Sequence, residues 1–129
     1  MLSLNKVHHI AIICSDYGKS KQFYTGLLGL TIIKETYRAE RQSYKLDLAL
    51  NDQYIIELFS FPKPPQRVSG PEATGLRHLA FEVDDMDKAM EVLKENTIKF
   101  EPVRVDEITG KAFTFFFDPD NLPIELYQR

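Results

Sequence analysis

Two related segments constrain this chain more than anything else in its sequence. Val7-His8-His9-Ile10-Ala11-Ile12-Ile13 is echoed by Leu76-Arg77-His78-Leu79-Ala80-Phe81-Glu82, with His9 and His78 separated by 69 positions. Each run reads as a β-strand. Each is followed at the same distance by an aspartate, Asp16 or Asp85, whose carboxylate suits a helix N-cap. After Asp85, Met86, Ala89, Met90 and Leu93 recur at spacings of three and four, which predicts a helix with one apolar stripe. Phe23, Tyr24, Leu27 and Leu28 do the same after Asp16, before Gly29 lets the chain turn. The later parts correspond too. Residues 44–50 and 53–59 alternate apolar and polar side chains around the turn Asn51-Asp52, which predicts a hairpin. In the second half, Phe113 to Phe117, a turn at Asp118 to Asn121, and Pro123 to Tyr127 repeat that order, with Glu57 and Glu125 68 positions apart.

The expected fold is therefore α+β, built of tandem βαβββ modules in one domain over residues 1–129. The modules cover roughly residues 5–60 and 75–128. Pro62, Pro64, Pro65, Gly70, Pro71 and Gly75 interrupt regular hydrogen bonding and mark 61–75 as the connection. A module of about 60 residues has too small a core to stand alone, which argues for joint folding or for exchange between chains.

Composition narrows the function classes. With 16 Lys+Arg against 19 Asp+Glu, the chain carries a formal charge of -3, and its basic residues are scattered. Nucleic-acid binding needs a concentrated basic surface and is not expected. No run approaches the roughly 20 apolar residues of a membrane span, and no secretory pattern opens the chain. The single Cys14 excludes an internal disulfide framework and favours a reducing, cytoplasmic setting.

Strand periodicity turns the repeat into a geometric expectation. Alternate side chains face opposite ways, so Ile10, Ile12 and Cys14 pack on one side while His9, Ala11 and Ile13 face the other. Leu79, Phe81 and Val83 oppose His78, Ala80 and Glu82 in the same manner. Glu57 opposes Ile56 and Leu58, and Glu125 opposes Ile124 and Leu126. His9, Glu57, His78 and Glu125 then share the face away from the helices. Two neutral imidazoles and two carboxylates form a donor set for one divalent metal, with Zn, Ni, Co, Mn and Fe all compatible, and leave positions for water or a bidentate substrate. His8 is the rival of His9, but aligning the repeats pairs His8 with Arg77, which leaves it at the rim or behind the ligand. Cys14 reads as buried packing. Lys45, Asp47, Phe113, Phe115 and Phe117 have the parity of the site face, where they line a pocket or pack and pair among themselves. Arg38, Arg41 and Arg104 have the chemistry to recognise a substrate carboxylate.

From VHHIAI through YIIELF and LRHLAFEV to FFFDPDNLPIELY, nearly the whole chain resembles the vicinal oxygen chelate superfamily, which includes glyoxalases, fosfomycin-resistance proteins and extradiol dioxygenases. It is most similar to the small glyoxalase I-like, or lactoylglutathione lyase-like, proteins. That resemblance implies a curved mixed sheet around a metal-binding cavity, with His9, Glu57, His78 and Glu125 as the metal ligands. It also implies a homodimer and a small-molecule substrate. The implied reaction converts a 2-oxoaldehyde-thiol hemithioacetal, with glutathione or another thiol as cosubstrate, through a metal-stabilised enediolate. Glu125 would act as the catalytic base and Glu57 would assist proton return. A metal-dependent epimerase of an acyl-CoA or other small metabolite, and a non-catalytic small-ligand or metal-binding protein, are the alternatives that one scaffold leaves open.

Overall fold

The structure, a computed structural model, describes residues 1–129. The order of elements is β1 (Ile10–Cys14), α1 (Tyr17–Gln22) running into a π-helical turn (Phe23–Leu27), β2 (Thr31–Arg38), β3 (Ser43–Leu50) and β4 (Gln53–Ser60). Then follow β5 (Leu79–Val83), α2 (Met86–Glu95), β6 (Arg104–Val105), β7 (Ala112–Phe117) and β8 (Pro123–Gln128). The chain divides into two compact units, Met1–Pro65 and Gln66–Arg129.

Each unit holds one four-stranded mixed sheet. The strand orders are β1-β4-β3-β2 and β5-β8-β7-β6, so the two topologies are the same. In each, the strand after the connection or N-terminus lies parallel to the last strand, and the remaining pairs are antiparallel. The α+β expectation of two βαβββ modules is met.

The local chemistry that builds one unit is repeated in the other. Asp16 Oδ1 accepts from Lys19 N, and Asp85 Oδ1 accepts from Lys88 N, both at 3.1 Å, so each aspartate caps the helix after it. The first helix ends where Gly29 takes a φ of 72° and Leu30 N donates to Tyr24 O at 3.0 Å, a C-terminal closure that a Cβ at this φ would strain. Asn51 and Asp52 have φ values of 49° and 65°, the left-handed pair that a two-residue hairpin needs. In the second unit the longer turn closes on Asp118, whose Oδ1 accepts from Asp120 N at 2.9 Å and Leu122 N at 2.8 Å.

Burial follows the strand alternation. Leu46, Leu48, Ile56 and Leu58 are fully buried in the first unit along with Tyr24, while Cys14 is 1% exposed. In the second, Thr114, Phe116, Ile124 and Leu126 are buried, as are Met86, Met90 and Leu93 of α2. The opposite faces are more open at Lys45 and Phe117, although Asp47, Ala49 and Phe115 on those faces are buried as well. Removing either helix cap strands one backbone N–H. Asp85→Ala is expected to lower stability by about 1 kcal/mol, read as a lower urea midpoint at unchanged slope. An unmoved midpoint would show that solvent replaces the cap without loss.

Candidate metal centre

The same strand register produces a histidine–glutamate pair in each unit. Ala11 lies opposite Glu57 in β1–β4, and Ala80 lies opposite Glu125 in β5–β8. Two residues before each alanine, on the same face of the strand, stand His9 and His78. His9 Nε2 is 3.2 Å from Glu57 Oε1, and His78 Nε2 is 2.9 Å from Glu125 Oε2. The glutamate side chains are 14% and 15% exposed and the histidines 35% and 28%, so the paired atoms meet at the edge of water.

These separations fit ligation. Nitrogen and oxygen donors bind a cation at about 2.0–2.2 Å, which puts two donors at right angles about 3 Å apart and two at the tetrahedral angle nearer 3.4 Å. Both pairs have the spacing of neighbouring octahedral positions. Within neither unit does a third His, Cys, Asp or Glu complete a group able to hold a metal ion, so each unit offers two donors.

Around this shared frame the two units differ. Glu57 is tethered three ways: Tyr54 donates its hydroxyl proton to Oε2 at 2.6 Å, Lys45 Nζ lies 3.2 Å from Oε2, and His9 holds Oε1. Tyr54 also donates to Asp47 Oδ1 at 2.9 Å, and Lys45 is 3.5 Å from the same oxygen. Burial opposes the ionisation of Glu57, but the hydrogen bonds from Tyr54 and Lys45, with the charges of Lys45 and His9, outweigh it and hold the carboxyl below its ordinary range. Lys45 is pushed up by its bond to Glu57, against a smaller loss from desolvation. Burial raises the Tyr54 phenol, and its two carboxylate partners raise it further, so it stays a proton donor in these contacts. Glu125 has His78 beside it and, across the β7–β8 pair, Phe115 in the place of an acid. The Phe115 ring meets His78 edge-on at 5.1 Å.

The residue before each histidine reaches the far side of its ring. His8 Nδ1 lies 2.8 Å from His9 Nδ1, and Arg77 Nη1 lies 3.1 Å from His78 Nδ1. A guanidinium only donates, so His78 Nδ1 accepts and a neutral ring carries its proton on Nε2, toward Glu125. A cation on Nε2 requires the other tautomer, and Arg77 has to turn away from Nδ1 to allow it. His8 either donates or accepts, and so places no such condition on His9.

The sequence matches the Glyoxalase/Bleomycin resistance protein/Dioxygenase superfamily over residues 6–126. The chain belongs to this superfamily. Among its glyoxalase-superfamily relatives is the uncharacterized protein YwkD of Bacillus subtilis, 64% identical over 126 residues that cover 98% of each chain. A crystal structure of a glyoxalase family protein from Enterococcus faecalis is 48% identical, with a TM-score of 0.87 over 95% of this chain and 96% of that one. More remote are a lactoylglutathione lyase of Schizosaccharomyces pombe, 26% identical over 97% of this chain but 48% of its own length, and a 2-epi-5-epi-valiolone epimerase of an Actinomyces species, 27% identical over 93% and 77%.

Against this glyoxalase-superfamily frame, the other residues singled out in the sequence fall into two groups. Lys45 and Asp47 lie on the site face and bind Glu57's surroundings rather than open solvent. Phe113, Phe115 and Phe117 share the face of Glu125 through their pairing with Tyr127, Glu125 and Pro123. Arg38 stacks over Phe59 and Phe61 at 5.0 and 5.9 Å and donates to Ser43 Oγ at 3.1 Å. Arg41 is exposed on a short turn, and Cys14 is buried. The residue that periodicity misses is Tyr54. Strict alternation puts it on the core side with Ile56, but Leu48 pairs with Ile56 and Ala49 with Tyr54, leaving Ile55 as an extra residue. That bulge rotates Tyr54 onto the face of Glu57.

Glu57 titrates lower in the fold than in the unfolded chain, so its contribution to stability is present above the unfolded pKa of about 4.3 and is lost as pH falls through the folded value. Tyr54→Phe is expected to cost about 1–2 kcal/mol at pH 7, with the gap to the parent protein narrowing in urea titrations at pH 3. A gap that stays constant with pH would assign Tyr54 to packing instead.

Proposed function

We propose that His9, Glu57, His78 and Glu125 together hold one divalent metal, and that the protein is a metal-dependent lyase or isomerase of glyoxalase type acting on a small molecule. The observation that carries this reading is the repeated His–Glu pair, with donor separations suited to neighbouring positions around one cation. The donor chemistry is compatible with Zn, Ni, Co, Mn or Fe. The set is completed either within one chain or between two chains of a cytoplasmic homodimer. A bound divalent cation supplies a Lewis acid that attracts the negative charge developing on substrate oxygens when a neighbouring C–H is deprotonated.

The chain's own residues divide the remaining work. Glu125, whose hydrogen-bonding partner is His78, is free to swing and takes the proton beside the substrate carbonyl. Glu57, held by Tyr54, Lys45 and His9, is the stationary carboxylate, and Tyr54 and Lys45 keep it ionised. Phe115 shields the reacting end from water on the side of His78. The leading substrate is a hemithioacetal of a 2-oxoaldehyde with glutathione or another thiol, the class that a lactoylglutathione lyase handles.

Epimerisation of an acyl-CoA or other small metabolite is the second reading. It is favoured by the longer share of the epimerase relative that this chain covers.

Elemental mass spectrometry of tag-free protein should find about one divalent metal for each complete set of four ligands. His78→Ala is expected to lose it, whereas Glu125→Gln should keep much of it and lower kcat by roughly 100-fold or more with methylglyoxal and glutathione. Metal without turnover on the hemithioacetal moves the assay to acyl-CoA epimerisation, and metal with neither activity selects the binding protein. Protein that takes up no metal overturns the four-ligand reading.

A further inference from the structure

Beside the His78–Glu125 pair, the second unit contains a cavity of about 290 Å³ lined by Arg67, Arg77, Arg104, Glu101, Phe115 and Phe117 among others. Its three arginines are not equally engaged. Arg67 is fixed by Leu76 O at 2.8 Å, Arg77 O at 3.0 Å and Ser69 Oγ at 3.0 Å. Arg77 is held in a two-point contact by Glu72, at 3.2 and 3.0 Å. Arg104 makes a single long contact of 3.4 Å, with Glu101, and both side chains are about half exposed. What positions Arg104 is aromatic: its guanidinium carbon lies 4.9 Å from the Phe113 ring centre and 5.8 Å from that of Phe115.

Phe115 therefore touches two things at once. Its ring meets His78 at 5.1 Å and Arg104 at 5.8 Å, so one aromatic surface runs from the half-site to a guanidinium with donors to spare. A stacked guanidinium keeps its edge available, and that edge matches a carboxylate with two parallel hydrogen bonds.

We propose that Arg104 is a specificity-determining residue that binds a carboxylate at the far end of the substrate, with Phe115 under a short aliphatic spacer. The substrate class is then an organic acid bearing vicinal oxygens at one end and a carboxylate at the other. The inference rests on the reading above that His78 and Glu125 face the reacting end. Arg77 and Arg67 frame the cavity, their donors already engaged by Glu72 and the backbone, which leaves Arg104 as the guanidinium available for paired hydrogen bonds.

The test compares 2-oxoadipate with 2-oxohexanoate, two acids of equal chain length of which the first carries the distal carboxylate, by calorimetry or NMR titration on the full chain with and without added Mn(II). The parent protein is expected to prefer 2-oxoadipate by roughly tenfold or more. Arg104→Met, which keeps an unbranched side chain over the two rings, should reduce the preference to near unity, and Arg104→Lys should retain part of it. His78→Ala should weaken both acids alike and leave the ratio intact. A parent protein that does not discriminate, a ratio that survives in Arg104→Met, or no binding of either acid at millimolar concentration would each overturn the proposal. A ratio that depends on Arg104 but not on metal would uphold the carboxylate site while removing support from the metal reading.

Discussion

A carboxylate in the middle of a strand whose other face is buried has to find a partner, because water reaches it from one side only. This requirement organises both units of the protein. Glu57 and Glu125 each sit between apolar neighbours that pack into a core, and each meets an imidazole brought by the adjacent parallel strand. The alanine paired with each glutamate places a small side chain beside the carboxylate. The capped helices and the buried Leu, Ile and Phe residues hold the parallel strand pairs in that register.

On this common frame the repeats have diverged in the way they surround the carboxylate. The first unit is polar: lysine and tyrosine hold Glu57 in place and favour its charged form, and both also bind Asp47. The second is aromatic, with Phe113 and Phe115 in the positions that match Lys45 and Asp47, and an arginine stacked upon them. A tethered acid and a less tethered acid have different uses. The repeat supplies one carboxylate to each unit, and the differing neighbours leave Glu57 with three partners and Glu125 with His78 and an aromatic surround.

Much of this was legible in the residue pattern because it depends on spacing alone. The offsets between His9 and His78 and between Glu57 and Glu125, the aspartate caps, the Asn51-Asp52 turn and the alternation of core side chains all follow from strand and helix periods, and the sheets have the strand content that those periods predict. The neighbours of the carboxylates were less so. Lys45 and Asp47 had the right parity, yet parity does not say that both converge on Glu57. The first helix was expected to run on to Gly29, and does so only by widening into a π-helical turn over Phe23–Leu27, a change of hydrogen bonding that an apolar pattern does not encode. The contact of Arg77 with the back of His78 depends on how two adjacent side chains fold around a strand end, which sequence spacing cannot express.

The bulge at Ile55 carries a lesson about how such repeats change. Aligned without gaps, Tyr54 corresponds to Leu122, a buried residue in the turn of the second unit, and the match suggests a core tyrosine. One additional residue in the ladder brings that phenol to the edge of the candidate site while the pairs from Leu48–Ile56 to Lys45–Phe59 keep a single register. Insertion or loss of a single residue in a hairpin is thus a larger chemical event than most substitutions. It exchanges which of two neighbouring side chains the site receives, and so gives or removes a hydroxyl there while Tyr54 itself is unchanged.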